Sequence, residues 1–598
     1  MLGPFDRRRF LQGLLVTVAA GATQACDDRQ EPDGGGGPPS TDPADQARVF
    51  PQGLASGDPK PSSVVLWTRV APPSAGEAID VDYEVARDPG FSDLVASGSL
   101  RVSESTDHTL RIRLTGLDPY TTYHYRFVAL GVQSVDGRTK TAPSPDADVS
   151  PRFAFASCQD YIGRYYHAYA ALLAEGPVDF LVFLGDYIYE TDGDPSFQTS
   201  SETRKVVLPD GLELEPGGTK AALTLADYRT LYRTYRSDPH IQAVHAQVPF
   251  ICIWDDHEFA NDCWQDHATD FNDLRGDEKS PDRRLAANRA WLEYQPADVG
   301  DDPAGLVIHR TLRYGKHVEL VLTDQRSYRD DHVIPEGAQP SDKPAGAPDE
   351  VPPYVAAGKI FVNSEIFSRN FVKKDGFDLI EAYVQPTMLG ADQKAWFLDA
   401  VKSSTATWKF WGSETQVVQM VLDLSSFDLP EAFKGLYYFT VDQWDGFRTE
   451  RREIVEALAG TPNVVVLTGD IHGFYTAEIR VDPDDPTSEP VLVEYVTSGI
   501  SSSPVQQIAK SAVDGNPDFE ALGALVPQFD EVLAIASHEY GHRSSNVNGI
   551  SIVEVDGAKE IRVTFLEVSE VREAQAGAVS KRRFRTRAGT NRVEPIAD

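Results

Sequence analysis

The sequence predicts an α/β protein preceded by a small β-sandwich. Between residues 47 and 148, short runs of alternating apolar and polar residues are separated by Gly, Pro and Asp, as in a sandwich of antiparallel strands. From residue 149 to about 575, apolar strands alternate with helical patterns, which is typical of an α/β core. Of the 598 residues, 41% are hydrophobic, which is enough for a large core and excludes disorder for most of the chain.

The first 31 residues have the pattern of an export signal. Adjacent arginines at 7–9 and the Phe10-Leu11 pair precede an apolar run, Leu14 to Ala22, which is too short to span a bilayer. This resembles a twin-arginine signal read by the twin-arginine export machinery, with an ordinary basic signal as the alternative. We therefore expect a periplasmic or extracellular protein. A lipid anchor at Cys26 and simple cleavage nearby both remain open, and residues 32–46 are predicted to be a flexible linker.

The predicted sandwich carries no recognisable catalytic residues. Its clearest strands are Ser63–Thr68 and His108–Leu114. Leu117-Asp118-Pro119, followed by the strand Tyr123–Phe127, looks like the tyrosine-bearing strand of a fibronectin type III-like module. We expect this module to support or cover the domain that follows.

The predicted catalytic domain, residues 149–575, is defined by apolar strands and amphipathic helices in alternation. The strands are Phe153–Ala156, Phe180–Leu184, Phe250–Trp254, Val318–Leu322, Trp408–Trp411, Val464–Leu467 and Leu492–Val496. The clearest helices are Arg164–Glu175, Arg284–Tyr294, Ala391–Ser403 and Thr449–Ala459. Stretches 191–220 and 330–360 are predicted to be long insertions, and residues 576–598, with a basic run at 581–587, a solvated tail.

Charge and cysteine content limit the classes of partner. With 91 acidic and 56 basic residues the net charge is −35, so we expect no nucleic-acid partner, and clustered acid would instead hold cations. Four cysteines are too few for a disulfide framework. Cys252 and Cys263 are predicted either to bridge or to remain free thiols.

Polar side chains follow four of the predicted strands at the point where each strand ends. These segments are Ser157-Cys158, Gly185–Tyr189, Asp255–Glu258 and Gly469–His472. Because the carboxyl ends of strands in an α/β sheet meet at one crevice, we expect the four segments to share a site. A single Asp in such a place is often only a turn residue, so the prediction depends on all four together.

The residue types in these segments fit metal ligands. Asp186 and Asp470 suit hard cations, and His472 lies two residues after Asp470, so both can face one ion. Tyr189 loses its proton only to a strongly acidic metal such as ferric iron, and Cys158 can supply a thiolate. The alternatives are a hydrogen-bonded phenol and an inert buried thiol.

A neutral oxygen ligand completes the set. Asn261 lies four residues after His257, and its carbonyl oxygen is of the kind that calcium accepts.

The motifs together resemble one known family. Phe155–Cys158, Gly185–Glu190, Trp254–Glu258 with Asn261, and Gly469–His472 are similar to the PhoD-like alkaline phosphatases (alkaline phosphatase D family) of the metallophosphoesterase superfamily. Gly53–Pro59 and Leu66–Arg69 resemble that family's N-terminal module. The resemblance runs in order from about residue 47 to 570.

The resemblance implies a fold, ions and a reaction. It implies a four-layered α/β/β/α metallophosphoesterase sandwich that hydrolyses phosphomonoesters and phosphodiesters, small phosphate-ester substrates, by metal-activated hydroxide. The implied ions are Fe³⁺ and Ca²⁺. Cys158 and Tyr189 would ligate iron, Asp186 would bridge the two ions, and Asn261, Asp470 and His472 would complete the cluster. We also expect a monomer without a transmembrane span.

The implied reaction also suggests roles for two further residues. His257, oriented by Asp256 or Asp255, is predicted to protonate the leaving oxygen, because a histidine beside carboxylates can hold the proton. Arg326 also follows an apolar strand, and we expect it either to bind phosphate or support the site, or to form a structural salt bridge.

Three other functions are alternatives to that of a phosphatase. His538, Glu539 and His542 match the H-E-x-x-H signature of zinc proteases, although Gly541 weakens the helix that this motif needs. A phospholipase D-like phosphodiesterase would use the same core. A calcium-stabilised surface protein without catalytic activity would need neither Tyr189 nor Cys158 at a strand end.

Overall fold

The structure is a computed structural model that describes residues 15–21, 38–195, 197–199, 201–214, 217–269, 278–335, 338–357, 369–514 and 517–597. The arginines at 7–9 and Cys26 lie outside the described residues. The predicted flexible linker is wrong at its end, since Pro43–Val49 is a helix. It begins there because Asp42 caps it by accepting from the backbone N–H of Ala44, with proline at the first helical position.

The N-terminal module is a β-sandwich, as predicted. In chain order its strands are β1 (Val16–Ala19), β2 (Leu54–Lys60), β3 (Ser63–Arg69), β4 (Ile79–Ala86), β5 (Leu94–Val102), β6 (Thr109–Thr115), β7 (Thr122–Ala129), β8 (Val132–Gln133) and β9 (Gly137–Lys140). One sheet has the order β5-β4-β7-β8 with β9 beside β7, and β1-β6-β3-β2 forms the other side. Tyr123 Oη accepts from the backbone N–H of Asp118 at 2.9 Å. The fibronectin type III likeness stays a prediction.

The sandwich is continuous with the domain that follows. Strand β2 pairs in parallel with the strand Phe250–Cys252 at Gly57. A Cβ on Gly57 would lie 2.6 Å from the carbonyl oxygen of Phe250 and 2.3 Å from that of Pro296, so only glycine permits this approach. Trp67 is fully buried and donates to the carbonyl of Glu293 at 2.8 Å. The module therefore supports the larger domain as part of one sheet.

Most of the remaining strands belong to two large sheets. The strands as far as residue 280 are β10 (Arg152–Ala156), β11 (Leu181–Phe183), β12 (Leu212–Glu213), β13 (Lys220–Ala221), β14 (Phe250–Cys252), β15 (His267–Ala268) and β16 (Glu278–Lys279). Those as far as residue 500 are β17 (Arg310–Tyr314), β18 (Val318–Leu322), β19 (Asn370–Lys373), β20 (Trp408–Gly412), β21 (Val421–Asp423), β22 (Leu436–Thr440), β23 (Val464–Thr468), β24 (Phe474–Ile479) and β25 (Leu492–Val496). The last are β26 (Tyr540–Ser544), β27 (Asn548–Asp556), β28 (Glu560–Val568), β29 (Val579–Arg587) and β30 (Glu594–Pro595).

The two sheets face each other. One has the order β1-β6-β3-β2-β14-β11-β10-β27-β28-β29-β30 and the other β17-β18-β20-β23-β25-β24-β26. Phe153 on β10 meets Phe410 on β20 edge to face at 5.2 Å, in the core between the sheets. Both sheets mix parallel and antiparallel pairs. The predicted α/β class is confirmed.

Helices pack against the two sheets and fill the connections. They are Pro43–Val49, His167–Ala174, Leu225–Tyr235, Pro239–His245, Pro281–Tyr294, Lys374–Val384, Gly390–Ser403, Arg448–Leu458, Val505–Asp514 and Phe529–Ala536. The four predicted helices are present, with ends displaced by at most three residues. The largest extension is at residue 281, where proline at the first helical position begins the helix three residues early. No helix among the described residues has the length and apolarity to cross a membrane.

The predicted solvated tail is wrong. Strand β29 pairs with β28 along its whole length, from Val579 opposite Val568 to Arg587 opposite Glu560. Phe584 and Thr586 are buried, while Arg585 and Arg587 bind Glu594. The basic run is part of a strand in which Phe584 and Thr586 are packed, while Arg582, Arg583 and Arg587 are exposed.

Candidate functional site

The predicted convergence of the strand ends is observed. Cys158 follows β10, Asp186 follows β11 and His472 follows β23, and their sulfur, oxygen and nitrogen atoms lie within 4.8 Å of one another. The carboxylates of Asp186, Asp255, Asp256 and Asp470 form an overlapping group within the same distance. Adjacent strands β10, β11 and β14 in one sheet and β23 in the facing sheet thus bring these side chains together.

The backbone is strained at the candidate ligands. Cys158, Asp186, Asp470 and His472 have φ angles of 59°, 57°, 58° and 56°, in the left-handed region that residues other than glycine seldom adopt. Each such conformation costs about 1–3 kcal/mol and persists only where the surrounding structure enforces it. These four conformations therefore lower the stability of the fold, and they direct the side chains into one space.

Tyr189 lies at the centre of the group. Its Oη is 3.2 Å from Asp186 Oδ2 and 3.2 Å from His472 Nε2, and it accepts from Ser502 Oγ at 2.6 Å. The tyrosine is completely buried. An oxygen held among a carboxylate, an imidazole and a hydroxyl donor is well placed to act as an anionic ligand.

His472 is oriented as a neutral ligand. Its Nδ1 lies 2.7 Å from the carbonyl oxygen of Ser503, so Nδ1 donates there and Nε2 faces Tyr189. Burial lowers the pKa of His472 to about 4, which keeps the imidazole unprotonated. An unprotonated Nε2 is the form that binds a metal ion.

The acidic donors resist ionisation in this site. Burial, reinforced by neighbouring carboxylates, raises the pKa of Cys158, Asp186, Tyr189 and Asp470 well above their usual values. Asp186 Oδ1 is buried and has no hydrogen-bond partner. A group of buried acids with an unpartnered carboxylate oxygen is what a cation would stabilise, so the donor set fits a metal centre.

His257 is oriented by Glu190, and not by Asp255 or Asp256 as predicted. His257 Nδ1 lies 2.6 Å from Glu190 Oε2, and both side chains are buried. Although burial opposes protonation, Glu190 and Asp256 raise the pKa of His257 well above its usual value. The backbone N–H of Asn261 donates to Glu190 Oε1 at 2.8 Å and fixes the carboxylate.

The predicted orienting carboxylates have other partners. Asp255 Oδ1 binds Arg326 Nε at 2.5 Å, and Asp256 accepts from the backbone N–H groups of His257 and Asp262. Their position in sequence beside His257 suggested contact, but the turn after β14 directs them toward Arg326. Glu190, separated from His257 by 67 residues, could have been found only from its place directly after the Gly185–Tyr189 segment.

Arg326 is a structural cation. It is fully buried and binds Asp255 at 2.5 Å, Asp442 at 2.7 Å and Asp256 at 3.6 Å. A guanidinium with no exposed surface and two close carboxylates does not reach a substrate, so the predicted substrate-binding role is wrong and the salt bridge is observed. Arg329 and His332 also bind Asp442, and although burial opposes ionisation, Arg326 together with these two residues holds the pKa of Asp442 well below its usual value.

The H-E-x-x-H match is not a metal site. Tyr540–Ser544 is strand β26, so His538 and His542 do not share a helical face. Glu539 is buried and binds Arg451 at 3.4 Å. Within the described part of the chain, the groups that could hold a metal do not include these three residues. Cys252 and Cys263 are both buried free thiols.

Several residues at the site lie outside the segments from which the sequence predicts it. Ser502 contacts Tyr189, and Gln443 Nε2 donates to Asp470 Oδ2 at 2.6 Å. Phe197, from the first long insertion, has its ring 5.0 Å from that of His257. None of these three residues belongs to the four segments that the sequence singled out, and only the folded chain brings them to the site.

Two mixed sheets face each other, and their strand ends carry buried carboxylates, a thiol, a phenol and imidazoles. These features define the class of the protein as an enzyme with a candidate metal centre. Comparison with known proteins specifies the family. The PhoD-like phosphatase model matches residues 153–560, and the model of that family's N-terminal domain matches residues 37–143. The chain belongs to the PhoD-like phosphatase family.

Individual relatives agree with this assignment. Alkaline phosphatase D of Bacillus subtilis (strain 168) is 31% identical over 520 residues, which cover 83% of this chain and 76% of the relative. A solved structure described as the structure of PhoD superposes with a TM-score of 0.70 at 26% identity, covering 92% of each chain. The protein is a phosphoric ester hydrolase.

Proposed function

We propose that the protein is an exported, metal-dependent phosphatase that cleaves phosphomonoesters and phosphodiesters, with ferric iron and calcium as its ions. The observation that carries the proposal is the buried group of Cys158, Asp186, Tyr189 and His472, whose ligand atoms meet around one space. A thiol and a phenol that burial keeps protonated would ionise beside a strongly acidic cation, and ferric iron is such a cation.

The ligands divide between the two ions by chemical type. Cys158 and Tyr189 would hold iron, and Asp186 would lie between iron and calcium. Asn261, Asp470 and His472 would complete the two coordination spheres. When bound, such ions supply positive charge to the phosphate oxygens and acidify a coordinated water.

The proton for the leaving oxygen comes from His257 in this proposal. The contact with Glu190 fixes the Nδ1 side of the ring and leaves Nε2 to face the substrate. The rings of Tyr189 and Phe197, whose centroids lie 4.1 Å and 5.0 Å from that of His257, pack against the buried imidazole. Asp256, which Arg326 contacts at 3.6 Å, contributes negative charge that favours the protonated imidazole.

The place of action follows from the twin-arginine pattern. Export by that machinery passes a folded protein, so the ions can be loaded inside the cell and the enzyme then acts in the periplasm or outside the cell. We propose a monomer there, with Cys26 as the residue to examine for a lipid anchor.

The test uses protein purified after export. Iron and calcium are measured, the visible spectrum is recorded, and phosphate release is followed on alkyl and aryl monoesters, diesters, nucleotides and a phospholipid. The proposal predicts both metals, a visible tyrosinate-to-iron band, and activity on monoesters and simple diesters. Active protein that is colourless and free of iron would contradict the metal assignment, and activity on the phospholipid alone would favour the phospholipase D-like alternative.

A further inference from the structure

Glu258 is a buried acid with no part in the chemistry described above. The residue is only 3% exposed. Its two oxygens accept from three backbone N–H groups: Oε2 from Asp186 at 3.0 Å and from Asp255 at 2.8 Å, and Oε1 from Tyr187 at 2.6 Å. Burial raises the pKa of Glu258 to about 8, and the three backbone hydrogen bonds oppose that rise because they favour the ionised carboxylate.

These three amides belong to two different loops. Asp186 and Tyr187 follow β11, and Asp255 follows β14. The loops touch where a Cβ on Gly185 would lie 2.5 Å from the backbone nitrogen of Asp255. Asp186, which has the strained φ of 57°, lies at this contact between the loops. The carboxylate of Glu258 therefore holds a strained ligand and the neighbouring loop at one fixed spacing.

We propose that Glu258 is a positioning residue that sets the spacing between Asp186, the ligand between the two ions, and the segment that carries His257. This inference rests on the proposed function, since it concerns how the metal ligands are held. A buried N–H group without an acceptor carries a substantial free-energy cost, so the two loops cannot keep this geometry once the carboxylate is gone. Partners that orient metal ligands commonly change metal affinity 10- to 100-fold when they are altered.

The variant to test is Glu258→Gln, which keeps the size of the side chain. The amide of glutamine presents one N–H₂ group to a backbone donor, so at least one of the three contacts is lost. Glu450→Gln is a matched control. Glu450 is a buried glutamate that accepts from the backbone N–H groups of Met388 and Leu389 and the hydroxyl of Thr387, pairs with Lys394 at 3.4 Å, and contacts no candidate ligand in the described structure.

Two measurements separate a positioning role from general stabilisation. The first is metal retention: the full-length proteins are incubated with a chelator and the bound iron and calcium are followed over time. We expect Glu258→Gln to lose metal 10- to 100-fold faster than wild type, and Glu450→Gln to match wild type, with similar falls in Tm for both variants.

The second measurement is hydrogen–deuterium exchange of peptides that cover residues 184–188 and 254–258, which needs no activity. In metal-free wild type these amides should exchange slowly, and in Glu258→Gln they should exchange at least tenfold faster, with no change there in Glu450→Gln. Fast exchange in wild type would overturn the inference even if the variant failed to fold.

The outcomes distinguish the inference from the function on which it rests. If wild type binds metal and Glu258→Gln retains it equally well, the inference is wrong and the proposed function stands. If wild type purified after export holds no metal, the proposed function fails and the inference fails with it.

Discussion

Replacing Glu190 by glutamine tests whether His257 is the proton donor. Glu190 Oε2 lies 2.6 Å from His257 Nδ1, and Glu190 is 1% exposed, so the contact is little screened by solvent. Glutamine keeps a neutral hydrogen bond and removes the negative charge. The protonated imidazole then loses its closest counter-charge.

The size of the effect follows from that contact. A hydrogen bond to a charged group contributes about 1.5–3 kcal/mol, and each 1.36 kcal/mol corresponds to a factor of ten in rate. We therefore expect kcat to fall about 10- to 150-fold for an alkyl phosphate, whose strongly basic leaving oxygen needs the proton. A nitrophenyl phosphate leaves as a weakly basic anion, so its kcat should fall much less.

The pH dependence has a defined sign. Glu190 raises the pKa of His257, so the protonated acid survives to higher pH in wild type, and activity falls as pH rises through that pKa. Glu190→Gln lowers the pKa and should move the alkaline limb of the kcat profile to lower pH. The assay compares both substrates from pH 6 to 10, with Glu381→Gln as control, a buried glutamate that binds Thr449 and not His257. Equal losses on both substrates, with an unmoved alkaline limb, would refute the role of His257.

Three other substitutions give separate predictions. Arg326→Met should lower the free energy of unfolding by about 3–5 kcal/mol relative to exposed Arg583→Met in chemical denaturation, because buried Asp255 loses its counter-charge and Asp442 keeps only Arg329 and His332; equal stabilities would contradict this. Gly469→Ala should lower the amount of metal bound per protein molecule, because the added Cβ would lie 2.2 Å from Ser157 Oγ. A variant with the same metal content as wild type would contradict this. Tyr189→Phe should remove the visible band while the far-ultraviolet circular dichroism stays unchanged, and a retained band would exclude this tyrosine as its source.

The sequence predicted the strands and their convergence because each strand is locally apolar. Val464–Thr468 and Leu492–Val496, for example, are buried along their entire length and contain no competing helical pattern. The residues that follow such strands must lie at the edge of the sheet, so Cys158, Asp186 and His472 could be grouped without knowing the topology.

Contacts between distant segments could not be predicted in the same way. Glu190 and Arg326 reach their partners across 67 and 71 residues, and nothing local distinguishes an acid that orients a histidine from one that binds solvent. Four of the residues of strand β29 are arginines, which favours a solvated tail, and only pairing with β28 shows that Phe584 faces the core. Whether a charged side chain is buried depends on its neighbours in the folded protein, and a single sequence does not show those neighbours.

Removal and return of the metal ions is the most direct test of the account. Protein purified after export is stripped of metal, checked for its fold by circular dichroism, and assayed for phosphate release before and after addition of iron and calcium. The account predicts a folded, inactive metal-free protein that regains activity in proportion to the ions bound. Full activity in folded, metal-free protein would contradict the central claim that Cys158, Asp186, Tyr189 and His472 form a metal centre on which hydrolysis depends.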